Sequence, residues 1–261
     1  MSNEQKTYLK KIKKNKIIIL ITQILITLLF IISWELLSKF NLINSFIFSS
    51  PSKIIKCIYE LALNNNLFNH IYITTKEIII SFILGSLIGF IVAIIFYFIP
   101  IIKKIFDPFL TLINSLPKVS LGPLLIIWLG ANTSSIIVMS LLINSIVTII
   151  TIYNGFINTD QYKIKLFKSL KATKFQTLIY LVIPHNKENI LSSLKLNISM
   201  SLIGVIMGEF LVSKAGIGYL ILYGTQVFNL NLVMSGIVLI IIISFLIYEL
   251  ISLIEYLTKQ K

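Results

Sequence analysis

The 261-residue chain is 56% hydrophobic and only 13% charged, and its apolar residues fall in blocks of about 20, the length a helix needs to cross a bilayer core. That excludes a soluble domain, whose single core could not bury so much apolar surface. The net charge of +13 is scattered between the blocks, pointing to membrane lipid and not to nucleic acid; Cys57 stands alone and His70 and His185 share no ligand spacing, so no disulfide, metal site or other cofactor is expected.

In chain order, residues 1–16 form a basic tail, and 17–37 a first span, too long for the apolar core of a signal peptide and without a small-residue cleavage site. Ser49-Ser50-Pro51-Ser52 marks a turn, and the amphipathic stretch 54–63 after it suits a membrane interface. The second span, 77–99, carries Gly85 and Gly89 on one helix face, which lets backbones approach closely within the subunit or at a dimer seam. The third, 106–130, is broken by Pro117, Gly122 and Pro123. Such breaks survive in hydrocarbon only where the freed carbonyls face protein or a water-filled cavity.

Lys118 lies in this break, with Asn114, Ser115, Ser120 and Asn144 as polar neighbours. An ionised side chain at that depth either faces an interior path, where it would attract an anion, or snorkels or pairs with a carboxylate. The fourth span is 134–153. The long connection 154–189 is helical in pattern, with Asp160 as a helix start and Pro184 as punctuation, and it needs a surface to dock on. The fifth span, 190–212, repeats the small-residue pattern at Gly204 and Gly208 and places Glu209 near its end as a gate residue or ion partner. Residues 215–228, with Gly216, Gly218 and Gly224, read as a re-entrant or gate-lining turn. The sixth span, 232–256, precedes a short tail, 257–261.

An even number of spans puts both termini on one side. With the termini and the 154–189 connection inside, inner segments hold 16 lysines against 5 outside and 2 within spans, of 23 in all, so both termini are expected in the cytoplasm. No G-x-x-x-x-G-K-[ST] phosphate loop occurs, so nucleotide chemistry would belong to another chain.

The run from Lys165 through Leu166, Phe167, Lys168, Ser169, Leu170, Lys171, Ala172, Thr173, Lys174 and Phe175 to Gln176, followed by Ile183-Pro184, resembles the coupling loop of binding-protein-dependent ABC importer permeases. Three further stretches are similar to the nitrate, sulfonate and taurine branch of that family: Pro51-Ser52-Lys53; Leu116-Pro117-Lys118 with 123–130; and Gly208-Glu209 with 216–221. They occur in the family's order.

The resemblance implies an all-α membrane protein of about six transmembrane helices with the type I ABC importer permease (MetI-like) architecture. It implies a permease domain over 17–256 and a coupling loop at 154–189, where Lys165, Leu166, Phe167, Leu170, Lys171, Ala172, Phe175 and Pro184 would meet the ATPase. A translocation path is expected from Asn114, Pro117, Lys118, Ser120, Gly122, Pro123, Asn144 and Glu209. The implied partners are an ABC ATPase subunit, an extracytoplasmic solute-binding protein, a second copy of the permease and membrane lipid. The implied cargo is a small solute such as an alkanesulfonate, taurine, nitrate or a thiamine pyrimidine.

Two positions depart from the family pattern. Its acidic triplet is Lys165-Leu166-Phe167 here, and its glycine is Lys171, which costs about 1 kcal/mol if held in a left-handed turn. Either the turn is built differently or the partner has changed to match; the lysine stripe Lys165, Lys168 and Lys171, opposite Leu166, Phe167 and Leu170, favours the second. The same amphipathic pattern also suits a helix held on anionic lipid. A membrane-embedded enzyme would want paired acids or His-metal clusters at depth, and an ATP-independent carrier would leave the long loop without a purpose.

Overall fold

The computed structural model describes residues 3–63 and 66–259, and the elements among them are helical. In order they are α1 (Asn3–Lys39), α2 (Ser45–Phe48), α3 (Pro51–Leu63), α4 (Asn66–Phe98), α5 (Pro100–Ser115), a 3-10 turn (Lys118–Leu121), α6 (Gly122–Leu129), α7 (Thr133–Ile157), α8 (Gln161–Ser169) and α9 (Lys174–Thr177). A π-helical turn (Leu178–Val182) then leads through α10 (Ile183–His185) to α11 (Lys187–Val212), α12 (Ile217–Gln226) and α13 (Leu230–Lys259). Five of these are long and apolar enough to span a bilayer, and α5 with α6 makes a sixth unit bent by 91°.

Helix α7 is the axis of the fold, held between α4 and α11. The small residues explain the closeness: a Cβ on Gly85 would strike the Asn144 amide and one on Gly89 the Thr148 side chain, both on α7. From the other side Gly204 lies against the Ser140 backbone and Gly208 against Ile136. Both glycine pairs therefore serve packing within the subunit, where close backbone approach replaces the hydrophobic drive that lipid removes.

The bundle has an apolar cluster at each end and a polar layer between them. Ile78, Ile136, Val205, Ile217 and Leu239 form the cluster at the α12 end, and Ala93, Ile152, Phe156, Leu178 and Val182 the one at the α8 end. In the middle the Asn144 amide donates to Ser81 O (2.9 Å) and Ser201 Oγ (2.6 Å), and Asn197 donates to Ser86 Oγ (2.8 Å). Thr148 returns its hydroxyl to Asn144 O at 2.8 Å. Intramembrane hydrogen bonds of this kind contribute about 0.6 kcal/mol each, and their geometry fixes which helix faces meet.

Helix α1 attaches at few points, whereas α13 packs on α3, α11 and α12. The membrane stretch Ile17–Lys39 of α1 buries none of its most apolar window against the rest of the chain. It is tied through Glu35, whose carboxylate accepts from the Ser52 amide (3.0 Å) and hydroxyl (2.8 Å) at the start of α3. On α13, Glu255 pairs with Lys195 of α11, and Lys195 also sits 5.2 Å from the centroid of the Tyr248 ring.

The structure moves two expected boundaries. Helix α4 starts at Asn66 and not at Glu77, because a helix keeps its hydrogen bonds beyond the hydrocarbon. Residues 215–228, expected as a turn, are mostly the helix α12 packed on α11 and α13.

Candidate functional site

The connection between α7 and α11 forms a compact helix pair. Asp160 opens α8 by accepting from the Tyr162 amide at 2.8 Å, a helix cap of ordinary type. The helix closes with Lys171 in the left-handed region, φ 57°. There Ala172 N–H donates to Phe167 O and Lys171 N–H to Lys168 O, each at 3.0 Å, which is the Schellman closure usually reserved for glycine. Thr173 and Gln176 then cap α9 reciprocally, at 2.8 and 3.2 Å. The turn is therefore not rebuilt to suit the lysine; the lysine adopts the glycine's conformation.

This pair is fastened into the bundle. Leu178 and Val182 of the π-helical turn are buried in the cluster with Ile152 and Phe156, and the Phe175 ring stacks on Phe98 of α4, centroids 6.5 Å apart. The Asn186 amide donates to Thr159 Oγ1 (2.7 Å) and Val182 O (2.9 Å), and that of Asn189 to Thr151 O (3.2 Å). The segment from α9 to the start of α11 is thereby anchored against α4 and α7.

Of the sequence-predicted docking residues, Leu166, Leu170 and Phe175 are exposed and Phe167 is half-buried with Ile164. Leu166 and Phe167 are consecutive, so at 100° per residue they face different ways. Leu166 shares its face instead with Leu170 and with Tyr162, 83% exposed, a residue missed because its polar tip masked an i, i+4, i+8 stripe. Lys165 and Lys171 are exposed, Ala172 is half-buried, and Pro184 is exposed at the foot of α11.

The bend between α5 and α6 is a second polar feature. Leu116 and Pro117 leave the helical path, and side chains bond carbonyls around the break: Ser115 Oγ to Thr111 O (2.8 Å), Ser120 Oγ to Pro117 O (2.7 Å) and Lys118 Nζ to Asn114 O (3.4 Å). Lys118 Nζ also reaches Asn114 Oδ1 at 3.2 Å. Asn114, Pro117, Ser120 and Pro123 are exposed and turned off the bundle, whereas Gly122 is buried under Leu211.

The structure brings Lys118 together with Asn114 and Ser120 but sets Asn144 and Glu209 apart from them. Asn144 is wholly buried in the polar layer. Glu209 is also wholly buried, where Oε1 accepts from Thr74 Oγ1 (2.6 Å) and Oε2 from Gly218 N–H (2.5 Å). Thr74 Oγ1 in turn accepts from Ile217 N–H at 2.7 Å. The first residue of this corner, Gly216, has φ 116° and no side chain to cap α12, and Glu209 supplies the cap from α11, the charge sign favoured at a helix N-terminus. His70 Nδ1 accepts from Gly216 N–H at 2.9 Å. Glu77, expected at a span end, is instead buried beside Glu209.

The model of the family described as "Binding-protein-dependent transport system inner membrane component" matches residues 85–260. A probable ABC transporter permease protein of Haemophilus influenzae is 27% identical, covering 88% of this chain and 93% of the relative. A putative aliphatic sulfonates transport permease protein of Bacillus subtilis is 25% identical (85% and 80% covered), and a formylaminopyrimidine transport permease protein of Halalkalibacterium halodurans 23% identical (74% and 76%). Among solved structures, the inward-facing MetNI methionine ABC transporter superposes with a TM-score of 0.63 over 74% of this chain and 96% of that one, at 16% identity. The fold is thus shared with a solved transporter over most of the chain, and the family match over 85–260 makes the chain a member of the binding-protein-dependent ABC transporter inner-membrane permeases.

Proposed function

We propose that two copies of this chain form the membrane path of an ATP-driven importer, with α8 and α9 in the cytoplasm docked on ATPase subunits and a solute-binding protein delivering cargo outside. In this arrangement 17–256 is the permease domain, 1–16 and 257–261 are cytoplasmic tails, and 154–189 is the coupling loop. The observation that carries the reading is the exposed apolar stripe of Tyr162, Leu166 and Leu170 on a helix pair whose return segment is buried in the bundle core. An apolar face left in water needs a partner, and closure of that partner would be passed to α4 and α7 as rigid-body movement.

The polar elbow of exposed Asn114 and Ser120 and half-buried Lys118 would line the path between copies, where broken helix ends meet water and not lipid. A cation in that lining suits a small anion, and an alkanesulfonate is the cargo we favour. A relative named for formylaminopyrimidine transport keeps a vitamin precursor as the second reading.

Co-purification of the tagged chain from its native membrane tests the assembly. An ATPase subunit is expected with the wild type and not with Leu170→Asp, which alters docking but no span; equal recovery with both would remove α8 from the interface. For the path, Lys118→Met is expected to weaken uptake of an alkanesulfonate at least tenfold while sparing a neutral solute; equal losses would make Lys118 a structural residue.

A further inference from the structure

We infer that the ATPase surface receiving α8 and α9 is acidic, presenting carboxylates to the lysines that flank the apolar stripe. The inference rests on the docking reading above and adds the chemistry of the partner.

From Gln161 to Lys187 the chain carries Lys163, Lys165, Lys168, Lys171, Lys174 and Lys187 and no Asp or Glu. The first five are exposed, and none of them enters the ion pairs seen among the described residues. At one of these positions the cation is kept against backbone preference: Lys171 holds φ 57°, where Gly would be unstrained.

The arrangement around α8 gives the charge a direction. Ile164 and Phe167 are half-buried on one side of α8, and the exposed stripe of Tyr162, Leu166 and Leu170 lies roughly a third of a turn away at 100° per residue. Lys165 falls on one flank of the stripe and Lys163 on the other, with Lys168 on the face opposite it. The Lys165 ammonium stands 5.9 Å from the Tyr162 ring centroid, so charge and apolar contact form one continuous surface. An apolar centre with a charged rim is the usual anatomy of a protein interface.

A neutral or basic groove would gather five like charges at its edge without compensation. Carboxylates there would set the register and select the partner, since complementary rim charge governs specificity and encounter more than total affinity. By the same logic an ATPase with a basic groove, suited to permeases whose loop carries a glutamate at the position of Lys165, would be rejected by repulsion.

The test uses the full chain with the ATPase that co-purifies with it. Retained ATPase is measured from about 0.1 M to about 1 M salt, across which the Debye length falls from about 10 to 3 Å. Wild type is expected to lose affinity about tenfold over that range, Lys163→Glu/Lys165→Glu to lose about tenfold at the low-salt end, and Lys163→Arg/Lys165→Arg to behave as wild type. Retention that ignores both salt and charge reversal overturns the acidic surface and leaves the docking reading standing. Failure to recover any ATPase with intact wild-type chain overturns the docking reading itself, and the inference with it.

Discussion

Replacing Glu209 by alanine separates a cap from a gate. In the structure its carboxylate takes the Thr74 hydroxyl and the Gly218 amide and, through Thr74, fixes the Ile217 amide. Alanine would leave two of these donors buried without an acceptor, at about 1–3 kcal/mol each, so the loss is about 2–6 kcal/mol. At about 2–4 °C per kcal/mol for a chain of about this size that lowers Tm by about 4–24 °C, read by thermal unfolding in detergent. Glutamine is the control: its carbonyl can still accept from Gly218, while its amide can donate to Thr74 Oγ1, whose second lone pair stays with Ile217. Glu209→Gln is therefore expected to keep most of the stability. If Glu209→Ala and Glu209→Gln both unfold at the wild-type temperature yet fail to support uptake, the capping account is wrong and the carboxylate acts on solute or gate.

Two further substitutions test the packing and the turn. Gly204→Leu would drive a side chain into the Ser140 backbone of α7 and is expected to cost about 1–3 kcal/mol or more, seen as poor yield and a lowered Tm; an unchanged Tm would mean that α11 and α7 do not pack as described. Lys171→Gly removes the strain at φ 57° and is expected to raise local stability by about 1 kcal/mol, measurable as slower hydrogen exchange across 167–173. Faster exchange there would show that the left-handed turn is not what closes α8.

The long apolar blocks made α1, α7, α11 and α13 legible, because about 20 residues without charge have one physical solution in lipid. The start of α4 was not, since hydropathy marks the edge of the hydrocarbon while Asn66 to Lys76 continue the same hydrogen-bond ladder in a polar zone. The caps written locally, Asp160 for α8 and the break at Pro117, could be read from adjacent residues. The cap of α12 could not: Gly216 and Gly218 look like a turn, and the carboxylate that completes the helix comes from another element. The same holds for Asn144, whose partners Ser81 and Ser201 lie on two other helices, so the polar layer it joins could not be read from its own neighbours. In α8 the i, i+4 geometry was available, and adjacency of Leu166 and Phe167 obscured it.

The polar layer has a consequence for how the chain is made. Asn144 can reach Ser81 as soon as α7 enters the membrane, but its second partner, Ser201, is 57 residues further along. At about 5–20 residues per second of synthesis, the amide waits roughly 3–11 s before α11 arrives. During that interval the face of α7 that will receive Gly204 is open, and a half-paired amide sits at bilayer depth, where unsatisfied polar groups are costly. Biogenesis of this permease thus contains a vulnerable window between the fourth and fifth spans, when the insertion machinery or a surrounding lipid headgroup has to shelter a surface that the finished protein hides completely.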